Sequence, residues 1–287
     1  MSRYREIKKL FKKNGFAILK NFISKKLIDE IKNETEKLIK NKIINNQIRD
    51  IHYLKTGQLS SVHNIVDYMP KYKKFGSYSK LYNVFNEIFG PPQKQWFNSS
   101  YFLKPKKVGI ETKAHQDNAY FNLHPCEAFT AWIPIDSVTK KNSALYYYAG
   151  SQKEGLLPHN PHGNLGASMC VSKKSINKVR RKYKKHYIKV KKGDCIIHSP
   201  LVVHGSEKNT SHVDRGAFNM SIKSKNAKLN IIGFRNYEKK LKSYLKEKKI
   251  DPKKIILGTR PYTKSFKLEK ALKTRSVHTG KGIKLKI

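Results

Sequence analysis

From residue 96 to residue 222 the chain is cut into short strand-like runs separated by turn residues, and this limits the fold more than any other feature. Trp96 to Leu103 ends at Lys104-Pro105. Phe129 to Asp136 alternates and mixes β-branched with aromatic residues. Asn142-Ser143 is a turn before Ala144 to Tyr148. Tyr187 to Val190 and Cys195 to His198 flank Gly193-Asp194, which predicts a hairpin. Val202-Val203-His204 and Gly216 to Ile222 complete the series. Short strands at this spacing predict a jelly-roll and argue against a βαβ sheet.

Residues 1–95 have a different, helical texture. Ile7, Leu10 and Phe11 predict a helix over 4–13, stopped by Asn14-Gly15. Phe16 to Leu19 reads as a short buried strand. Ser24 can cap a second helix whose apolar face is Ile28, Ile31, Thr35, Leu38 and Ile39, up to about Ile43. Ile51 to Leu54 has strand character. Leu81, Val84, Phe85 and Ile88 predict a helix ended by Gly90-Pro91-Pro92. Residues 151–180 are a polar excursion with a short helix near 173–182. Past 223 the chain is Lys-rich: Tyr237 to Lys248 predicts a surface helix, Asp251-Pro252 breaks it, and 258–287 have little periodicity.

The chain carries 61 Lys+Arg against 20 Asp+Glu, a formal charge of +41. Such a field favours anionic partners: nucleic acid, phospholipid surfaces or phosphorylated small molecules. Abundant Lys, Asn, Ile and Tyr fit equally well with a basic compositional background. Nucleic-acid recognition modules are missing from the sequence, which ranks that partner below a small molecule. Cys126, Cys170 and Cys195 are odd in number and lack C-x-x-C spacing, which predicts a reducing, cytoplasmic setting. The N-terminus has no secretory apolar core, and no apolar run reaches the ~18 residues of a membrane span.

Within Lys113-Ala114-His115-Gln116-Asp117-Asn118-Ala119-Tyr120, His115 and Asp117 stand two apart. On an extended strand both would leave the same face. An imidazole and a carboxylate are two of the three protein ligands of a facial-triad iron site. His204 offers the third, in His198-Ser199-Pro200-Leu201-Val202-Val203-His204-Gly205-Ser206. Such a triad leaves three coordination positions open, enough for a bidentate 2-oxo acid and dioxygen. Arg215 offers a planar fork for the far carboxylate of that acid, and Ser206 a hydroxyl. His52, His63, His124, His159, His162 and His198 read as structural or as neighbours of ligands. Lys104, Lys106, Lys107 and Lys113 read as exposed.

With these residues in this order, the chain resembles the phytanoyl-CoA dioxygenase family of Fe(II)/2-oxoglutarate oxygenases. The matching pieces are Gly15-Phe16, Phe22-Ile23-Ser24, His115-Gln116-Asp117 with Tyr120, and Trp132. Gly150-Ser151, Gly193-Asp194, His204-Gly205-Ser206 with Asn209, and Arg215 follow in sequence. The resemblance covers about 8–223. It departs from the family pattern at Ala149 and Gln152 in the P-G-S-H-like turn, and at Ser143, where a glycine is common.

The resemblance implies a mainly β fold with flanking helices (α+β) around a double-stranded β-helix, a cupin-like jelly-roll. The oxygenase domain would span 1–225, with a helical part over 1–95 and the core over about 96–225. Residues 226–287 would be a peripheral Lys-rich extension. His115, Asp117 and His204 would ligate iron. Arg215 and Ser206 would hold 2-oxoglutarate, and Gln116 and Trp132 would line its pocket. The implied activity uses Fe(II), 2-oxoglutarate and O2, hydroxylates a small molecule, and releases succinate and CO2. The charge points to an anionic substrate. The carboxylate of Asp117 implies hydroxylation, because related halogenases carry a small residue there. The competing readings are a nucleic-acid-associated oxygenase or polyanion-binding protein on the same fold, and a non-catalytic jelly-roll.

Overall fold

Every residue of the strand Ala128–Pro134 is buried, yet its side chains divide by parity. Phe129, Ala131 and Ile133 join a core with Ile197, Phe218, Met220 and Ile222. Trp132, between them in sequence, belongs to a second core with Phe16, Tyr147, Ile196, Val202 and Ala217. A strand covered on both faces is apolar on both, which is why this run reads as nearly continuous hydrophobic sequence.

The computed structural model describes residues 2–44, 51–54, 56–65, 69, 79–90, 94–162 and 169–249. The first part comprises α1 (Arg3–Asn14), β1 (Phe16–Leu19), α2 (Lys25–Ile44), β2 (Ile51–Tyr53), β3 (Leu59–His63) and α3 (Ser79–Phe89). There follow β4 (Lys94–Lys104), β5 (Thr112–His115), α4 (Asn118–Phe121), β6 (Leu123–His124), β7 (Ala128–Pro134) and β8 (Leu145–Tyr148). A 3-10 turn at Ser151–Glu154 leads to β9 (His159–Pro161), β10 (Met169–Val171), α5 (Lys173–Lys182) and β11 (Lys185–Tyr187). The last elements are β12 (Cys195–His198), β13 (His204–Ser206), β14 (Arg215–Ser224), β15 (Lys228–Leu229) and α6 (Ile231–Glu247).

Two antiparallel sheets form the jelly-roll. The larger has the order β1-β12-β7-β14-β4-β3-β2, the smaller β11-β8-β13-β5. The core around Trp132 and Tyr147 fills the space between them. The outer face of the large sheet is covered by α1, α2 and α3 through Ile7, Phe11, Ile28, Ile31, Leu81, Val84, Phe85 and Ile88. Ile176 and Val179 of α5 cover the small sheet by packing on Tyr146, Tyr148 and Val203. α1 ends where Gly15 turns into the left-handed region at φ 81°; a methyl there would stand 2.8 Å from Val202, so the position requires glycine.

The predicted helices over 4–13, 25–43, 81–88 and 173–182 are present. Two other expectations are corrected. The run 187–190 and the run 195–198 do not form a hairpin: β11 pairs with β8 in the small sheet, while β12 pairs with β1 and β7 in the large one. The Asp194 carboxylate accepts from Lys20 Nζ (2.8 Å), the Asn21 amide (3.0 Å) and the Lys191 amide (3.1 Å), which ties this turn to the N-terminal segment. The late helix starts at Ile231, with Asn230 Oδ1 capping Gly233 N at 3.1 Å. It is not a free surface helix, since Phe234, Tyr237, Leu241 and Leu245 are buried, and Tyr237 meets Tyr120 edge-on at 6.2 Å between ring centres. The Pro91-Pro92 stop, the Asp251-Pro252 break and the segment 258–287 lie outside the described residues.

Candidate metal centre

His115 is the last residue of β5, and its Cα partner across the sheet is His204, the first residue of β13. That register brings the two imidazoles to 4.3 Å between ring centres. Asp117 arrives by a route the sequence did not suggest. The strand has ended, and Asp117 is helical at φ −58°, ψ −31°, the residue before α4. The turn is fixed by Asn118 N donating to Pro200 O at 2.9 Å and by Tyr120 N donating to Asp117 O at 2.9 Å. Asp117 Oδ1 lies 3.5 Å from His115 Nε2 and 3.6 Å from His204 Nε2. The three candidate ligand atoms lie within 4.8 Å of one another.

The tautomers suit metal binding. His115 Nδ1 donates to Lys113 O at 2.8 Å and His204 Nδ1 to Val202 O at 3.1 Å, which leaves both Nε2 lone pairs facing Asp117. Burial holds the His204 imidazole well below its ordinary pKa, and His115 and His198 add to this against the pull of Asp117. Burial alone would raise the Asp117 carboxyl; His204, His115 and His198 together outweigh it and hold the group well below the usual carboxylate range. Two imidazole nitrogens and one ionised carboxylate oxygen form a donor set that suits Fe(II).

The other oxygen of Asp117 faces the protein. Oδ2 accepts from Thr130 Oγ1 at 3.0 Å and from His198 Nε2 at 3.1 Å. Thr130 and His198 sit on neighbouring strands, with their Cα atoms paired between β7 and β12.

Arg215 begins β14 and is 2% exposed. Among the described residues it has no ion pair, and its buried Nε has no hydrogen-bond partner. Its guanidinium lies 5.5 Å from the Trp132 ring centre. Burial pulls its pKa down to about 10, so it stays cationic at neutral pH. Lys104 is the Cα partner of Arg215 and is also buried, contrary to the expectation of an exposed lysine. Its Nζ donates to Ser206 Oγ at 2.6 Å and to Glu207 O at 3.1 Å. A buried, unpaired guanidinium beside a buried ammonium and a hydroxyl fits the carboxylate of a bound acid.

The Gln116 side chain is held by backbone groups. Its amide donates to Gly155 O (2.7 Å) and Leu201 O (2.5 Å) and accepts from Leu157 N (2.8 Å), so it staples the 155–157 loop. Its backbone N–H donates to His159 Nε2 at 3.0 Å. Tyr120 presents its ring edge to His115 at 6.0 Å, while its hydroxyl binds both Met169 O (3.1 Å) and Met169 N (3.0 Å).

Sequence reasoning missed Lys104 and Thr130, and it placed His198 among structural residues or neighbours of ligands without naming Asp117 as its partner. Parity along β7 and β12 places Thr130 and His198 on the inner face, but which residue they meet depends on a turn from elsewhere in the chain.

Comparison with known proteins bears on this geometry. The family model described as phytanoyl-CoA dioxygenase (PhyH) matches residues 11–217. The chain belongs to the phytanoyl-CoA dioxygenase family. It is 26% identical to the peroxisomal phytanoyl-CoA dioxygenase of Bos taurus, over 74% of this chain and 66% of that one. It is 25% identical to a phytanoyl-CoA dioxygenase domain-containing protein 1 homolog of Dictyostelium discoideum, over 73% of this chain and 87% of that one. The chain thus spans just under two thirds of the bovine relative. Among solved structures it is similar to EctD from S. alaskensis with bound Fe, at TM-score 0.66 and 15% identity, covering 80% of this chain and 79% of that one. It is also similar to the alpha-ketoglutarate-dependent carbocyclase SnoK, at TM-score 0.64 and 17% identity, covering 80% and 86%. These likenesses show that the chain shares the fold of those two proteins. One departure from the phytanoyl-CoA dioxygenase pattern now has a structural meaning: Ser143, at the position where a glycine is common, sits at φ 74°, a backbone region glycine occupies without strain.

Proposed function

We propose that this protein is an Fe(II)- and 2-oxoglutarate-dependent dioxygenase that hydroxylates a small molecule. The observation that carries this reading is the buried Arg215 guanidinium, which has no carboxylate partner among the described residues and whose Nε has no hydrogen-bond partner, on the inner sheet face that also bears the neighbours of the His115, Asp117 and His204 cluster. When bound, iron and the 2-oxo acid would supply reaction with dioxygen: one oxygen atom enters the succinate formed as CO2 is lost, and the other is inserted into a substrate C–H bond.

The chain contributes geometry and charge. Nε2 of His115, Nε2 of His204 and Oδ1 of Asp117 would hold the metal. Arg215 and Lys104 neutralise the distal carboxylate of 2-oxoglutarate, with the Ser206 hydroxyl beside them and the Trp132 face behind the guanidinium. A charge-assisted contact of this kind contributes about 1.5–3 kcal/mol. Gln116 keeps the 155–157 loop closed over the ligand-bearing turn. The substrate we propose is anionic: exposed Lys113 precedes His115 by two residues, and Lys240 Nζ reaches the His159 carbonyl at 3.4 Å.

The domain we propose spans 1–225, with α6 of the 226–287 extension docked on its α4 turn. No helix among the described residues is long and apolar enough to cross a membrane. The three cysteines are unpaired, which supports a reducing, cytoplasmic setting. The test is succinate release on addition of Fe(II), 2-oxoglutarate and candidate anionic compounds. A compound that raises release above background, with Asp117→Ala silent, supports the reading; an equally active Asp117→Ala enzyme removes this site from it.

A nucleic-acid-associated oxygenase is favoured by one observation. Lys173, Lys174, Lys178, Arg180 and Arg181 are exposed on α5, and only Lys182 on that helix has a carboxylate partner, Glu154, among the described residues. Oligonucleotide-stimulated succinate release that falls steeply with salt would favour this second reading.

A further inference from the structure

His198 is buried and touches the metal-site cluster without being one of its three candidate ligands. Its Nε2 is 3.1 Å from Asp117 Oδ2, and its Nδ1 is 3.0 Å from the Tyr147 hydroxyl. An ionised carboxylate only accepts, so Nε2 carries the proton and Nδ1 accepts from Tyr147. Tyr147 is itself held by stacking on Phe16 at 4.4 Å and on the His204 ring at 5.5 Å. The donor chain therefore runs Tyr147, His198, Asp117, and its outer end is built into the core between the sheets.

We propose that His198 is a positioning residue that keeps Asp117 a one-oxygen ligand. This rests on the metal-site reading above. A free carboxylate can meet a cation through one oxygen or both. Two-oxygen binding would use up one of the three positions that a bidentate 2-oxo acid and dioxygen require. The hydrogen bonds from His198 and Thr130 both fall on Oδ2, so both of its lone-pair directions are taken. Oδ1, lying 3.5 and 3.6 Å from the two Nε2 atoms, is the oxygen left to the metal. His198 also fixes the rotation of the carboxylate. That matters here because Asp117 comes from a turn and not from the sheet. His115 and His204 are aligned by strand register; Asp117 has no such constraint, and the inner face of β12 supplies one.

The experiment is Co(II) binding, followed by calorimetry and by the visible d–d spectrum, with melting temperature as the folding check. It needs neither the substrate nor turnover. His198→Leu keeps the bulk and removes the donor; it should weaken Co(II) binding by about 10- to 100-fold and change the spectrum. His198→Gln restores an N–H near the Nε2 position and should bind within about threefold of the parent, the rescue expected for positioning. Tyr147→Phe removes the outer donor and should weaken binding by about threefold. His198→Leu with parental affinity and spectrum overturns the proposal. So does His198→Gln as impaired as His198→Leu at equal melting temperature. If His198→Leu does not fold, Tyr147→Phe decides, and parental affinity there overturns it. Asp117→Ala and His204→Ala separate this outcome from the larger one: if they bind Co(II) like the parent, the metal site itself is wrong.

Discussion

Lys104 and Arg215 face each other directly across β4 and β14, and both are buried. Neighbouring cations out of water repel, and no carboxylate among the described residues pairs with the guanidinium. Burial, with Arg215 next, holds the Lys104 ammonium well below its ordinary pKa. Such a pair costs stability, and in the proposed function a bound carboxylate would offset that cost.

The consequence is a trade between stability and cosubstrate binding. Arg215→Ala should weaken 2-oxoglutarate binding by about 10- to 150-fold, the equivalent of about 1.5–3 kcal/mol. Lys104→Met should weaken it less while raising the melting temperature of the ligand-free protein, because a buried charge is removed. Calorimetry with 2-oxoglutarate and thermal melts without it check both. A Lys104→Met protein that melts lower than the parent would contradict the account.

Gly205 separates the candidate ligand His204 from Ser206, and the backbone of β5 passes close by. A methyl on Gly205 would stand 2.6 Å from the Thr112 carbonyl oxygen and 2.6 Å from the Tyr146 hydroxyl. Backbone does not yield as a flexible side chain does, so Gly205→Ala should push β13 off β5 and part His204 from His115. The expected result is Co(II) affinity reduced by about tenfold or more, with a lowered melting temperature.

Asp194 gives the protein an acid-sensitive anchor. Burial alone would raise its carboxyl; the bonds from Lys20, Asn21 and Lys191 outweigh this and lower its pKa below the ordinary value. A group whose folded pKa lies below its unfolded value stabilises fully above the unfolded pKa, and the contribution is lost as pH falls through the folded one. Asp194→Asn should therefore cost about 2 kcal/mol at pH 7, with the gap to the parent closing below about pH 4. Denaturant titrations at pH 7, 5 and 3 measure it.

Tyr120 clamps β10 by binding Met169 through both backbone groups. Tyr120→Phe leaves the ring against His115 and Tyr237 but removes the clamp. Amide hydrogen exchange at Met169 should accelerate by about fivefold, for a bond worth about 1 kcal/mol, while exchange in β7 is unchanged. Equal exchange at Met169 in both proteins would show that the hydroxyl does not hold this strand.

Local sequence carries its own limits, and particular residues show where they fall. α5 was readable at Lys173–Lys182 because its apolar positions Ile176 and Val179 and its Ser172 cap lie within about two turns of one another. The 187–198 hairpin was misread because Gly193-Asp194 carries a turn signal, whereas the Asp194 carboxylate is engaged 174 residues away by Lys20. Lys104 looked like one of several surface lysines; only the β4–β14 register places it beside Arg215.

By itself, the sequence determined the strand-rich core, the helices over 4–13, 25–43, 81–88 and 173–182, and the ordered set His115, Asp117, His204, Ser206 and Arg215. These depend on residue type, period and order, which are local properties of a chain. Only the tertiary structure decided how Asp117 reaches the histidines, by a helical turn and not by a shared strand face. It also decided that Gln116 serves the loop, that Lys104 is buried, and that His198 and Thr130 take the second oxygen of Asp117. Each of these is a contact between elements distant in sequence, fixed by sheet register and by the covering of both sheet faces, and no local pattern encodes either.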